Sequence, residues 1–149
     1  MRVETKAYGP LELDERQKIF FPYGILGFEH LKYFALLDAR QHPFYWLQSM
    51  ESVDVAFVLI NPRVFRPDYE LEVDADELEE IGITDLKNAL DFVIVTIPEE
   101  PSEMTANLQG PLIINKQTRV GRQCIGVNPR WMVRHSIMKE LAAVEQKTC

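Results

Sequence analysis

Apolar residues recur along this chain in short runs separated by turn formers. Residues 18–21, 33–37, 44–47, 55–60, 92–97 and 112–114 are nearly continuous in Val, Ile, Leu, Phe, Tyr and Trp. Runs this short and this apolar predict central strands buried on both faces. Gly9-Pro10, Asn61-Pro62, Gly82, Gly110-Pro111 and Asn128-Pro129 punctuate them, which is the spacing of an all-β sandwich or barrel. Residues 2–6 and 11–13 flank Gly9-Pro10 and predict a first hairpin. Residues 68–74 alternate, with Tyr69, Leu71 and Val73 on one face and Asp68, Glu70, Glu72 and Asp74 on the other, the period of a half-buried antiparallel strand.

Two segments break this period. Residues 74–81 begin with Asp74 and are followed by Gly82, a short helical turn capped at both ends. Residues 136–147 place Ile137, Leu141 and Val144 at helical spacing after Ser136, a suitable N-cap. The expected fold is therefore mainly β: a compact, antiparallel, β-barrel-like single domain over residues 1–149. It carries one or two short helices, one of them C-terminal.

Composition changes this picture little. The chain is 46% hydrophobic and 26% charged, ordinary for a globular protein that needs no staple to fold. No apolar run approaches the roughly 20 residues of a membrane span. The charged, alternating start does not read as a signal peptide. Two cysteines, Cys124 and Cys149, are too few for a disulfide framework and read as free thiols in a reducing cytoplasm, Cys124 as a small buried hydrophobe.

Charge says more. The formal net charge is −7, which argues against nucleic acid as a direct ligand, since phosphate contacts need clustered Lys and Arg. Between Asp68 and Asp85 there are nine acidic residues and no Lys or Arg. Such a run is either a solvated face or a surface that steers a basic partner. Arg119, Arg122, Arg130, Arg134 and Lys139 make the C-terminal third comparatively basic, so opposite ends of the chain could hold different partners. Between strand and acidic run lies the loop 61–67, stiffened by Pro62 and Pro67, with Phe65 between Arg63 and Arg66. An aromatic flanked by arginines is a common interface composition. The alternative is that Phe65 turns into the core, and Trp131 beside Arg130 is open to the same two readings.

Candidate chemistry is sparse. His30, His42 and His135 have no helical metal-ligand spacing, and neither cysteine has a near partner. The Asp74-Ala75-Asp76 opening of a calcium loop fails at Glu79, where glycine is required. Gly24-Ile25-Leu26-Gly27 reads as a tight turn, not a phosphate loop. No catalytic residue, metal or cofactor is expected. The competing class is a small β-barrel hydrolase or isomerase using paired carboxylates with raised pKa values in a closed pocket.

Five stretches, taken together and in order, resemble the FliW family of flagellar assembly factors. They are Phe21-Pro22-Tyr23-Gly24-Ile25-Leu26-Gly27-Phe28, Pro43-Phe44-Tyr45-Trp46-Leu47-Gln48-Ser49, Ala56-Phe57-Val58-Leu59-Ile60-Asn61-Pro62, Asp68-Tyr69-Glu70-Leu71, and Thr105-Ala106-Asn107-Leu108-Gln109-Gly110-Pro111-Leu112-Ile113-Ile114-Asn115. The resemblance covers nearly the whole chain. It departs at Leu26, where FliW-like sequences often have Pro, and at Gly110, where they often have Ala.

The resemblance implies a non-enzymatic cytoplasmic protein that binds newly made flagellin as a chaperone. It also implies antagonism, by protein–protein binding, of CsrA, a small basic dimer that represses flagellin translation. A monomer or weak homo-oligomer with no membrane or nucleic-acid ligand fits that role. On this reading Asn61, Pro62, Phe65, Asp68, Glu70 and Glu72 are expected to contribute a CsrA-facing patch. Leu108 and Trp131 are expected toward flagellin.

Overall fold

The structure is a computed structural model that describes residues 1–147. Cys149, expected as a free thiol, lies outside the described residues. The chain opens with a hairpin of β1 (Arg2–Thr5) and β2 (Gly9–Glu12), which pair antiparallel with Val3 opposite Leu11 and Thr5 opposite Gly9. Gly9-Pro10 therefore starts the return strand, and residues 6–8 make the turn. Thr5 ties that turn, donating from Oγ1 to the Gly9 carbonyl at 2.7 Å and accepting from the Tyr8 N–H at 3.0 Å.

The main sheet then builds strand by strand: β3 (Lys18–Phe20), β4 (Tyr33–Asp38), β5 (Tyr45–Ser49), β6 (Ala56–Ile60) and β7 (Ala89–Thr96). Each is antiparallel to its predecessor. Between β6 and β7 lies a connection with one short helix, α1 (Ala75–Glu79). After β7 come β8 (Thr105–Ala106), β9 (Leu112–Asn115), β10 (Gly121–Gln123), β11 (His135–Ser136) and the C-terminal helix α2 (Ile137–Lys147).

The first half of β7 pairs with β9 and its last residues with β8. A single edge of β7 thus receives two short strands in succession, separated by the turn at residues 107–111. The strand order is β10-β9-β7-β6-β5-β4-β3, with β11 added on β8. The two ends of this order approach each other. The Phe20 N–H donates to the Arg119 carbonyl at 3.0 Å, beside a single parallel bridge between Phe20 and Val120. The sheet is barrel-like, and a bridge rather than a full ladder brings its ends together.

Both faces of the sheet are covered. Inside the curl, Ile19, Phe21, Phe34, Leu47, Leu59, Phe92, Leu112 and Ile114 form one cluster. Outside β7, Val93 and Val95 pack with Ile60, Phe65, Tyr69, Leu108, Trp131 and Ile137. The six apolar runs of the sequence are six of these strands, and each feeds the inner cluster; the other face of β4 packs Ala35 and Leu37 against Val3, and that of β9 packs Ile113 with Ile81, Ile83 and Cys124. Fully burying such a side chain contributes about 1.5–3 kcal/mol.

The alternating segment 68–74 behaves differently from the strand its period predicts. Tyr69 is buried and Leu71 and Val73 half-buried, while Asp68, Glu70, Glu72 and Asp74 are exposed. Burial follows the pattern, yet no strand ladder forms; only Val73 makes an isolated bridge, to Gly126. α1 is capped as expected: the Asp74 side chain accepts the Asp76 N–H, and Gly82 leaves the turn at φ 75°. At α2, Ser136 Oγ accepts the Lys139 N–H at 3.4 Å. Gly24 holds φ 66°, and a Cβ there would lie 2.5 Å from the Glu29 Cα, so the 24–27 segment requires glycine as a tight turn.

Candidate protein-binding surface

The loop after β6 is built from its own polar groups. Asn61 Oδ1 accepts the Arg63 N–H at 3.0 Å, and Pro62 starts a single 3-10 turn, Pro62–Val64. The Phe65 and Arg66 N–H groups both return to the Pro62 carbonyl, at 3.3 and 2.9 Å. That turn drives Phe65 inward, where none of its surface remains exposed, and it buries Pro62 as well.

Leu108 is fully buried and Trp131 is 3% exposed, both in the same cluster as Phe65. The structure therefore corrects the expectation that Phe65, Leu108 and Trp131 present side chains to partners. Two to three kcal/mol of apolar burial per side chain, in order of magnitude, outweighs exposure on a free surface. They form the floor beneath the loop instead. The arginines that flank the aromatic in sequence lie on the rings of that floor. Arg66 and Arg130 each sit 4.8 Å from the Trp131 ring, and Arg63 sits 5.4 Å from Tyr69.

Over this floor runs a charged network. Arg66 grips Asp68 with a two-pronged contact, Nε to Oδ1 and Nη2 to Oδ2, both at 3.0 Å. Arg130 also donates to Asp68. The third arm of Arg66, Nη1, reaches Glu140 Oε1 on α2 at 2.5 Å. His135, itself buried, lies 3.0 Å from that same oxygen through Nδ1, and its Nε2 accepts the Met132 N–H at 2.8 Å. With Nε2 accepting, Nδ1 carries the ring proton toward Glu140. The loop, the 128–135 segment and α2 are thus joined through one guanidinium.

Outside the network the acidic run remains on the surface. Glu70 and Glu72 are exposed, and Glu72 accepts from Asn128 Nδ2 at 3.3 Å. The backbone of this segment is held by the Val127 N–H on the Glu72 carbonyl at 2.9 Å. Among the described residues, three of the nine acids are ion-paired: Asp68, and Glu77 and Glu80 with Arg122. The rest leave an uncompensated negative ridge. Arg122 and Arg130 fold back on the acidic run, so the two charge blocks of the sequence meet in space rather than forming opposite ends.

The family model for FliW protein matches residues 2–137. The chain is 48% identical over 147 residues to the flagellar assembly factor FliW of Leptospira interrogans serovar Lai, covering 97% of each chain. The chain belongs to the FliW family. Identity to the flagellar assembly factor FliW of Treponema denticola is 43% over 143 residues, covering 96% of this chain and 97% of that one. A crystal structure of the flagellar assembly factor FliW superposes with a TM-score of 0.83 at 36% identity, covering 92% of this chain and 96% of that chain.

In this FliW-family chain the carboxyls that converge do so on a guanidinium. The Arg66 hydrogen bonds hold the Asp68 carboxyl down to about 2, from 3.8. A hydrolase pair needs the opposite, a carboxyl raised by burial or by a like charge. A depressed carboxyl stabilises the fold above its unfolded pKa and loses that contribution as pH falls through its folded pKa. Asp68→Asn is expected to lower stability near neutral pH by about 1 kcal/mol or less, because the side chain is part-exposed. Its difference from wild type should close between about pH 4 and about pH 2 in denaturant titrations. A difference that persists unchanged to the lower limit would place the effect elsewhere.

Arg66, Arg130, His135 and Glu140 were not singled out together by sequence. Arg66 and Glu140 are separated by 74 positions, and no periodic pattern links them. Among the described residues, no helix is long and apolar enough to cross a membrane. No group of three or more His, Cys, Asp or Glu among them is placed to hold a metal ion.

Proposed function

We propose that residues 1–149 act as a single-domain flagellar assembly factor that works by binding, without catalysis, in the cytoplasm. It binds flagellin as a chaperone and, when flagellin is exported, binds CsrA and relieves its repression of flagellin translation. The observation that carries the reading is the exposed ridge of Glu70, Glu72 and their neighbours, fixed to a rigid floor through Arg66 and Trp131. A fixed acidic surface steers a basic protein such as CsrA and sets its docking register. The proposed CsrA-facing patch is Asp68, Glu70 and Glu72 on the outside, positioned by the Asn61 cap and the Pro62 turn. Phe65 and Trp131 act from below as support, and Leu108 packs beside them. The relatives named as flagellar assembly factors support the process, and the monomer or weak homo-oligomer expected here fits a partner-exchange role.

Calorimetry of the purified protein with flagellin, repeated with CsrA present, tests this. Flagellin affinity of about micromolar or tighter, weakened by CsrA, is the expected result. A folded protein that binds neither would overturn the reading.

A further inference from the structure

Of the three histidines, His135 alone is buried, with 5% of its surface exposed, while His30 and His42 lie on the surface. Both nitrogens of its ring are engaged. Nε2 accepts the Met132 N–H at 2.8 Å, three positions back in its own segment, and Nδ1 faces Glu140 Oε1 on α2 at 3.0 Å. The first contact exists only while Nε2 carries no proton, because a protonated Nε2 is a donor and so is the amide. An asparagine or glutamine oxygen would accept the same N–H at every pH. An imidazole makes the contact conditional, since this side chain ordinarily changes charge between about pH 5 and about pH 8.

The charges around the ring come from several elements. α2 contributes Glu140, whose Oε1 is also held by Arg66 Nη1 at 2.5 Å. The Glu140 Oε2 is buried and has no hydrogen-bond partner among the described residues. The loop after β6 contributes Arg66, tied on its other side to Asp68. The 128–135 segment contributes Arg130, which covers Trp131 and donates to Asp68. Arg134 and Lys139, near in the chain, are exposed. β8 pairs with β11 through Thr105 and Ala106, neither of which is charged. Leaving a buried carboxylate oxygen without a donor is costly, and that oxygen can accept from an imidazolium that has let go of Met132. The ring therefore lies between a contact that requires its neutral form and a carboxylate that accepts its charged form.

We propose that His135 is a proton-operated latch on the segment that supports the acidic ridge. With Nε2 unprotonated, the ring joins Met132 to Glu140 and holds residues 128–135 against α2. A proton taken from solvent binds the Nε2 lone pair, turns the acceptor into a donor and expels the Met132 N–H. What is released is the inner support of the ridge. The Met132 carbonyl accepts the Leu108 N–H at 3.0 Å, Arg130 donates to Asp68, and Asn128 donates to Glu72. β4 and β5 make none of these hydrogen bonds, so acidification loosens this corner and leaves the sheet in place.

Nitrogen-15 NMR of the wild-type chain, with amide exchange expressed as protection relative to the unstructured rate, tests the latch. At about pH 7.5 the His135 ring is expected as the Nδ1–H tautomer. Between about pH 7.5 and about pH 5.5 the ring should take up a proton, and protection of the Met132 amide should fall by about tenfold or more. Amides of β4 and β5 should keep their protection over the same range. In His135→Gln, which offers an acceptor that does not titrate, Met132 protection should stay level. An Nε2–H tautomer at neutral pH would overturn the proposal. So would a ring that stays neutral throughout this range, or one that is protonated while Met132 keeps its protection. An equal loss of Met132 protection in His135→Gln would overturn it too. Should that variant fail to fold, the wild-type tautomer and the Met132 profile decide the matter by themselves.

Discussion

Phe65→Ala is expected to destabilise the protein by about 3–5 kcal/mol and to lower its melting temperature by about 6–20 °C. The side chain has no exposed surface and sits among Ile60, Tyr69, Val93, Val95, Leu108 and Trp131. Truncating it leaves a cavity within the cluster that holds Val93 and Val95 of β7 and the Trp131 indole. Neither collapses easily, because Trp131 is covered by two guanidiniums and β7 is paired on both edges. The expected loss is a large share of the 5–15 kcal/mol typical of a domain. Denaturant unfolding followed by tryptophan fluorescence measures it. A contact residue on the surface would behave in the opposite way, with melting nearly unchanged and partner affinity reduced. The two patterns separate the readings that a loop composition of one aromatic between two arginines leaves open.

Most of the strand framework was legible because it rests on local signals. Six apolar runs became β3, β4, β5, β6, β7 and β9, and the two helices start where Asp74 and Ser136 cap them. The short strands β8, β10 and β11, two or three residues each, carry too few positions for any period to register. Residues 68–74 show where periodicity stops being sufficient. Alternation correctly predicted which side chains are buried, but a ladder needs a neighbouring edge, and the partner available, residues 125–130, is itself irregular. The candidate site was legible in its charge and not in its geometry. Exposure of Asp68, Glu70 and Glu72 follows from their phase in the alternation. The reach of Arg66 to Glu140, and the return of Arg122 and Arg130 onto the acidic run, depend on contacts 42 to 74 positions apart.

Combined replacement of Glu70 and Glu72 by lysine is expected to weaken CsrA binding by about tenfold or more at low salt. Both side chains are exposed, and neither forms an ion pair among the described residues. The fold should therefore tolerate the change, at the cost of the Asn128 contact to Glu72. The double variant removes two negative charges and introduces two positive ones on one ridge, which turns attraction for a basic dimer into repulsion. Screening provides the internal control. The Debye length falls from about 10 Å at 0.1 M salt to about 3 Å at 1 M, so the defect should shrink as salt rises and should lie mainly in the association rate. Equal affinity of the two proteins at low salt would mean that the ridge is only a solvated face. A defect that persists at high salt would instead mean that Glu70 and Glu72 are in desolvated contact with CsrA, where screening cannot reach.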